Sequence, residues 1–504
     1  MEAQAQLDDD PAATRAALAR LARVVACAAI VAASSYAVPG LARFRPWLPG
    51  EGVPIARLYG AKEALPVFAE AGGVAASTED ATRLAGSLGD AVARSLAEAD
   101  ADGGSTRPRQ PAAGPALRIE PSEYAGITQR IENAEALAPF FAKLERAARG
   151  EAGAIARVAH YGDSAVAADE ITYTLRRKLQ TRFGDAGHGF ILIARGAMHY
   201  LHRDIRVRSS DDWEVYPIVL GQLGKDWYGY GGVQYRGPAG ASAWFGTAED
   251  GVVGKSVSRF EIFFQRYRGG GTVQIEVDGK RHSTLDTRGD VQEDAWESIA
   301  VPDGPHSLSL RACGGRVPRL YGVALERDVP GVVYDSLGMV GAVAERLLNA
   351  ERDHIRRQIA HRAPDLLVLA FGGNESANAW LQIDAYEKGV AEVVDHLRGG
   401  EAKSACLLFA PLDQGERDER GEIVTIKKMP DIVEAQRRVA KGKGCAFYDT
   451  FSAMGGVNSV RKWHKSRPRL VTSDFKHATP QGYVVIADMY YKALLAAFAA
   501  HLGS

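Results

Sequence analysis

The chain reads as an α/β protein, a doubly wound five-stranded parallel sheet interrupted by an inserted antiparallel β-sandwich. Five short apolar runs recur, at 155–159, 331–334, 366–371, 405–410 and 446–448, each closed by turn residues. Stretches of helical period lie at 169–182, 341–360, 378–398 and 430–441. Unalternated apolar strands joined by helices belong to a parallel sheet covered on both faces. Between roughly Arg206 and Arg327 the period changes to two, as in Phe260-Glu-Ile-Phe-Phe, Val273-Gln-Ile-Glu-Val and Ser307-Leu-Ser-Leu. That change marks the sandwich.

The N-terminal region comes first. Residues 24–42 run 19 positions without a charge, behind Arg15, Arg20 and Arg23. Such a stretch is an export signal, for which Ser35-Tyr36-Ala37 would suit cleavage, or a membrane anchor just long enough to span; the plainer alternative is an amphipathic terminal helix. From 43 to about 118 the chain is rich in alanine, glycine and small polar residues, and 105–114 is a Pro/Arg/Gly linker. We read 1–118 as an export or anchor segment with a tether.

A helical pattern of Ile131, Leu137, Phe140, Phe141 and Leu144 leads into the first strand, so 119–205 forms the first part of the α/β domain. Within the sandwich, assigned to 206–328, Asp278-Gly279 is a two-residue hairpin signal. Its aromatics (Trp213, Trp227, Tyr228, Tyr230, Tyr235 and Trp244) cluster early and are either sugar-stacking rings or core. The α/β domain resumes over 329–504. Its last helix is signalled by Thr479 as N-cap and Pro480 at the first helical position.

Composition narrows the function. With 504 residues, 46% apolar and 24% charged, the chain is long enough for two domains of ordinary globular make-up. A net charge of −1 gives no electrostatic reason to expect nucleic acid. The four cysteines (Cys27, Cys313, Cys406 and Cys445) show neither a disulfide framework nor metal-ligand spacing, and Cys406 and Cys445 read as buried thiols. No metal or other cofactor is expected.

The chemistry lies in two short segments. Gly162-Asp163-Ser164 follows the first apolar run, where an open α/β sheet presents a nucleophile on a tight turn. Asp474 and His477 stand three residues apart near the C-terminus. A serine hydroxyl needs a base to take its proton, and the base needs an acid to orient it. Singly, each residue has a plainer reading: Ser164 a helix cap, His477 a surface histidine, Asn374 a turn residue, Gly341 a packing glycine. Together, their order along the chain favours catalysis.

These blocks resemble those of the SGNH (GDSL-type) hydrolases: Gly162-Asp163-Ser164, Gly341 after the second strand, Gly372-Gly373-Asn374 after the third, and Asp474-x-x-His477. The resemblance implies a flavodoxin-like fold, catalytic Ser164, Asp474 and His477, and an oxyanion hole from the Ser164 and Gly341 N–H groups with the Asn374 amide. Gly338 is a nearby rival for Gly341. The family commonly reads Gly-x-Asn-Asp in the third block, where this chain has Glu375. A narrower resemblance, to bacterial peptidoglycan O-acetylesterases, rests on four segments. They are His160-Tyr-Gly-Asp-Ser, the run from Leu175 to Gly184, Gly187-His-Gly-Phe, and Gly444-Cys-Ala-Phe-Tyr-Asp-Thr-Phe-Ser-Ala-Met-Gly-Gly. Members of that group carry an inserted sandwich like a carbohydrate-binding module. The implied partner is an O-acetylated polysaccharide of the cell envelope, and the implied reaction is removal of its acetyl groups outside the cytoplasm. Acetyl transfer, lipid-ester cleavage and inactive wall binding are the alternatives.

Overall fold

A computed structural model describes residues 117–503, apart from 198, 225 and 399–403. The apolar segment at 24–42 and the linker at 105–114 lie outside the described residues.

Five parallel strands form the central sheet: β1 (Ile155–Gly162), β2 (Gly331–Gly338), β3 (Leu366–Ala370), β4 (Ala405–Phe409) and β5 (Ala446–Tyr448). Their order is β2-β1-β3-β4-β5, so the winding reverses between β1 and β3. In such sheets the crevice at the reversal, beyond the carboxyl ends of the strands, is where ligands bind. Gly162 pairs with both Gly338 and Ala370, which brings the ends of three strands level there.

Successive strand residues serve opposite cores. Val158, Val368, Leu407 and Tyr448 pack with the helices α1 (Ala138–Ala148), α2 (Glu170–Phe183) and the C-terminal helix Pro480–Leu502. Ala159, Leu367, Leu369, Leu408 and Phe447 pack on the other face, against α3 (Arg352–Arg362), α4 (Ile383–Arg398) and α5 (Met429–Gly442). Two buried faces explain why these strands read as continuous apolar runs. The C-terminal helix is long and apolar enough to cross a membrane, but 67% of its most apolar window is buried inside the fold. It is a core helix, capped as expected by the Thr479 hydroxyl accepting from Gly482 N–H.

Two helices are shorter than their periodicity predicts. Over 341–360 a 3₁₀ segment (Ala344–Asn349) gives way to α3, because Glu351 accepts from the N–H groups of Asp353 and His354 and starts a new helix. Over 378–398, α4 begins only at Ile383. Asn378 instead accepts from Trp380 N–H, a local turn that competes with helix.

Two antiparallel sheets make up the sandwich. One runs Glu293–Gly304, Val257–Arg266, Arg319–Glu326, Val233–Arg236 and Glu214–Pro217, and Gly189–Leu192 also pairs with Arg319–Glu326. The other runs Ile205–Ser209, Ser242–Thr247, Ser307–Ala312, Thr272–Val277 and Lys280–Asp286. Gly189–Leu192 thus carries antiparallel pairing upstream of residue 206. Asp278 (φ 51°) and Gly279 (φ 71°) make the expected hairpin turn.

The sandwich is bolted to the parallel sheet by buried charge. Glu326 accepts from Arg157, Arg259 and Arg362, and Asp335 from Arg362, Tyr230 and Phe190 N–H. Every carboxylate oxygen there has a donor, which a buried charge requires.

One sequence expectation, that of two buried thiols, is corrected. Cys406 and Cys445 form a disulfide with Cα atoms 4.8 Å apart. Leu407 pairs with Ala446, so the residues just before them face each other across adjacent strands, a proximity that spacing along the chain hides. The sandwich aromatics mostly do not face solvent. Trp213, Tyr228, Tyr230 and Tyr235 are core residues, and Trp227 lies flat on the His354 ring at 4.8 Å. Trp244 alone of the six stays half-exposed without a ring partner, flanked by Arg206 and Arg208.

Candidate active site

Ser164 lies two residues past the end of β1, after Asp163, and is the first residue of a four-residue helical turn, Ser164–Ala167. Asp163 shapes this turn, its carboxylate accepting from Ala165 N–H at 3.0 Å. Burial pushes the Asp163 carboxyl up to about 6, against the pull of that bond and of His477.

His477 reaches Ser164 from the far end of the sequence. Its Nε2 lies 3.0 Å from Ser164 Oγ, and its Nδ1 lies 2.6 Å from Asp474 Oδ2. An ionised carboxylate only accepts, so Nδ1 carries the proton and Nε2 is left to accept from the serine hydroxyl. Asp474 also accepts from the Thr472 hydroxyl (2.5 Å) and from the N–H groups of Lys476 (2.9 Å) and His477 (3.1 Å). Burial alone would raise the Asp474 carboxyl, but these bonds outweigh it and hold it well below the usual carboxylate range. It therefore stays charged opposite the imidazole across the neutral pH range.

Asn374 sits in the helical turn Gly373–Ser376 that follows β3. Its Nδ2 donates to Ala342 O at 2.8 Å, which brings the amide against the turn that holds Gly341. Nδ2 makes no second hydrogen bond among the described residues. The Ser164 N–H, first in its turn, has no intrahelical acceptor. Gly341 N–H takes no part in the backbone hydrogen bonds among the described residues.

Gly338 and Gly341 differ in kind. A Cβ on Gly338 would stand 2.1 Å from Ala167 N, so that glycine lets β2 abut the turn Ser164–Ala167. Gly341 has φ +75° with open space around it, so its glycine meets a backbone demand and not a packing one.

A cavity of about 60 Å³ opens beside the serine, lined among others by Ser164, Phe371, Asn374, Leu412, Gln414 and His477. The Ser164 hydroxyl, the His477 imidazole and the Asn374 amide line this cavity, with Asp474 behind the imidazole, whereas Gly341 is not among the lining residues. A hydroxyl beside an oriented base can carry acyl transfer through a covalent serine intermediate. His160, His188 and His464 play no part in it. His160 bonds Tyr334, His188 bonds His202, and His464 bonds backbone carbonyls.

Glu375 is the site residue that motif reading passed over. It is 5% exposed, and its carboxylate joins two loops, accepting from Gly372 N–H at 3.0 Å and Ala344 N–H at 2.8 Å. Only its departure from the Gly-x-Asn-Asp pattern drew attention to it in the sequence.

Among solved structures, a peptidoglycan O-acetylesterase superposes with a TM-score of 0.61 at 22% identity, covering 72% of this chain and 96% of its own. The chain has the SGNH hydrolase fold. A family-two carbohydrate esterase with a carbohydrate-binding domain from Corynascus thermopiles (Myceliophthora fergusii) matches at 11% identity, covering 56% of this chain and 99% of its own, with a TM-score of 0.26. A salicylyl-acyltransferase of a tetracycline biosynthetic pathway matches at 12% identity, covering 57% and 93%, also at 0.26. At those scores neither bears on the site. No family model and no curated protein matches the chain.

Proposed function

We propose that the chain is an exported serine esterase that removes O-acetyl groups from a cell-wall polysaccharide, with muramoyl residues of peptidoglycan as its substrate. The observation that carries the reading is the relay from Asp474 through His477 to Ser164, with contacts of 2.6 and 3.0 Å. Ser164 Oγ attacks the acetyl carbonyl carbon as its proton passes to His477 Nε2. The oxyanion is received by the Ser164 and Gly341 N–H groups and the Asn374 amide. His477 then returns the proton to the departing sugar oxygen, leaving acetyl-Ser164. Water, deprotonated by the same nitrogen, releases acetate and restores the hydroxyl.

Two further observations support the finer parts of this reading. The Cys406–Cys445 disulfide belongs to an oxidising compartment, in keeping with an envelope location. The superposed structure is itself a peptidoglycan O-acetylesterase.

The test is acetate release from O-acetylated peptidoglycan, acetylated xylan and short lipid esters, each with the intact chain and with Ser164→Ala. The reading expects fastest release from peptidoglycan and none from the variant. A preference for lipid esters would sink the substrate assignment. Inertness toward every acetate ester would favour a wall-binding protein instead.

A further inference from the structure

The two loops that the esterase reading assigns to the oxyanion hole share no strand pairing where they meet. One is the turn after β2 that holds Gly341; the other is Gly372-Gly373-Asn374 after β3. Hydrogen bonds from one short stretch sew them together. Asn374 Nδ2 donates to Ala342 O, while Glu375 accepts from Ala344 N–H on the first loop and Gly372 N–H on its own. These bonds thus bracket both Gly341 and Asn374. The arrangement is also one of burial: Glu375 is 5% exposed, with buried Asp163 and Tyr386 facing it.

We propose that Glu375 is a positioning residue, a clamp that sets the distance between the Asn374 amide and the Gly341 N–H and so completes the oxyanion hole. The proposal rests on the esterase reading of the same site. Misplacing a preorganised donor by a fraction of an ångström weakens its bond to the transition state more than to the ground state. A carboxylate suits the task because it can accept from two N–H groups that point in from different loops. An amide offers one acceptor oxygen and turns a donor toward the second N–H. The plainer alternative is that Glu375 only caps its own four-residue turn, for which Gly372 N–H would suffice; the reach to Ala344 is then without purpose.

Glu375→Gln is compared with the parent chain on a small chromogenic acetate ester, with melting temperature confirming the fold. The clamp predicts a kcat lower by roughly 10- to 100-fold with KM within about twofold. It also predicts faster deuterium exchange in 339–347, with exchange in β1 unchanged. Glu375→Asp keeps the charge and should recover part of the lost kcat. It carries the same two readouts where the glutamine variant does not fold. A folded glutamine variant with kcat within about twofold of the parent overturns the proposal, and so does unchanged exchange in 339–347. A parent chain that turns over no acetate ester ends the esterase reading and the catalytic half of the proposal. The exchange comparison still decides whether the clamp exists.

Discussion

Two of the histidine–aspartate pairs among the described residues have nearly equal geometry. His477 meets Asp474 at 2.6 Å on the rim of the parallel sheet, and His354 meets Asp294 at 2.7 Å where α3 packs on the sandwich. Each imidazole is oriented through Nδ1. They part at the other nitrogen. His354 Nε2 accepts from Gly229 N–H at 2.8 Å, whereas His477 Nε2 faces the Ser164 hydroxyl at 3.0 Å. Exposure differs as sharply: the side chains of His354 and Asp294 are 0% and 1% exposed, and those of His477 and Asp474 are 44% and 48%. One pair is a sealed strut, its ring covered by Trp227. The other ends on a movable proton. An oriented imidazole becomes a base only when its second nitrogen is left to something that can react.

The largest effect should separate the two pairs outright. Ser164→Ala or His477→Ala should lower kcat on a small acetate ester by about 10⁴-fold or more. His354→Ala should leave kcat within a few fold once the folded fraction is allowed for. Equal losses in the two histidine variants would erase the contrast. Next comes Asn374→Ala, with an expected kcat loss of roughly 100- to 1000-fold, typical of one missing oxyanion donor. In stability the order reverses. His354→Ala strands the buried Gly229 N–H, takes one of three donors from Asp294 and leaves a cavity under Trp227. It should cost about 2–3 kcal/mol, whereas His477→Ala at the open rim should cost under about 1 kcal/mol, both read by denaturant unfolding.

A smaller effect concerns pH. Burial pushes Asp163 up to about 6 and Glu375 up to about 7 in the folded chain, above their ordinary values. Each group then holds more protons folded than unfolded between about pH 4 and its folded value. The stability linked to them is fully present below that window and is lost as pH rises through 6 to 7. Asp474 runs the other way, since its depressed value gives stability that is lost in acid. Glu375→Gln should therefore flatten the fall in melting temperature between pH 5 and 8, removing at most about 3 kcal/mol of pH-dependent stability. An unchanged slope would show that Glu375 ionises freely in the fold.

Legibility in the sequence followed the same division. Ser164, Asp474 and His477 could be found because the turn after a strand and a three-residue spacing are local signals. The parallel strands were legible because burial on both faces writes an unbroken apolar run, and Asp278-Gly279 because a tight turn admits few residue types. The His354–Asp294 strut was not, since its partners lie 60 residues apart and meet only when α3 docks on the sandwich. The Cys406–Cys445 bridge was hidden for a similar reason, depending on the pairing of β4 with β5. The sandwich aromatics stayed open between sugar contact and core because alternation shows that a strand has two faces without showing which one is core. Glu375 was visible as a departure from a motif, but its role depends on Ala344, brought near by a different loop.

The most direct measurement of the central claim uses an irreversible phosphonate ester that reports activated serines, with the labelled residue identified by mass spectrometry. The account expects stoichiometric labelling of Ser164 in the parent chain and in His354→Ala, and none in His477→Ala. No label on Ser164 in the parent chain, or equal labelling when His477 is gone, would contradict it.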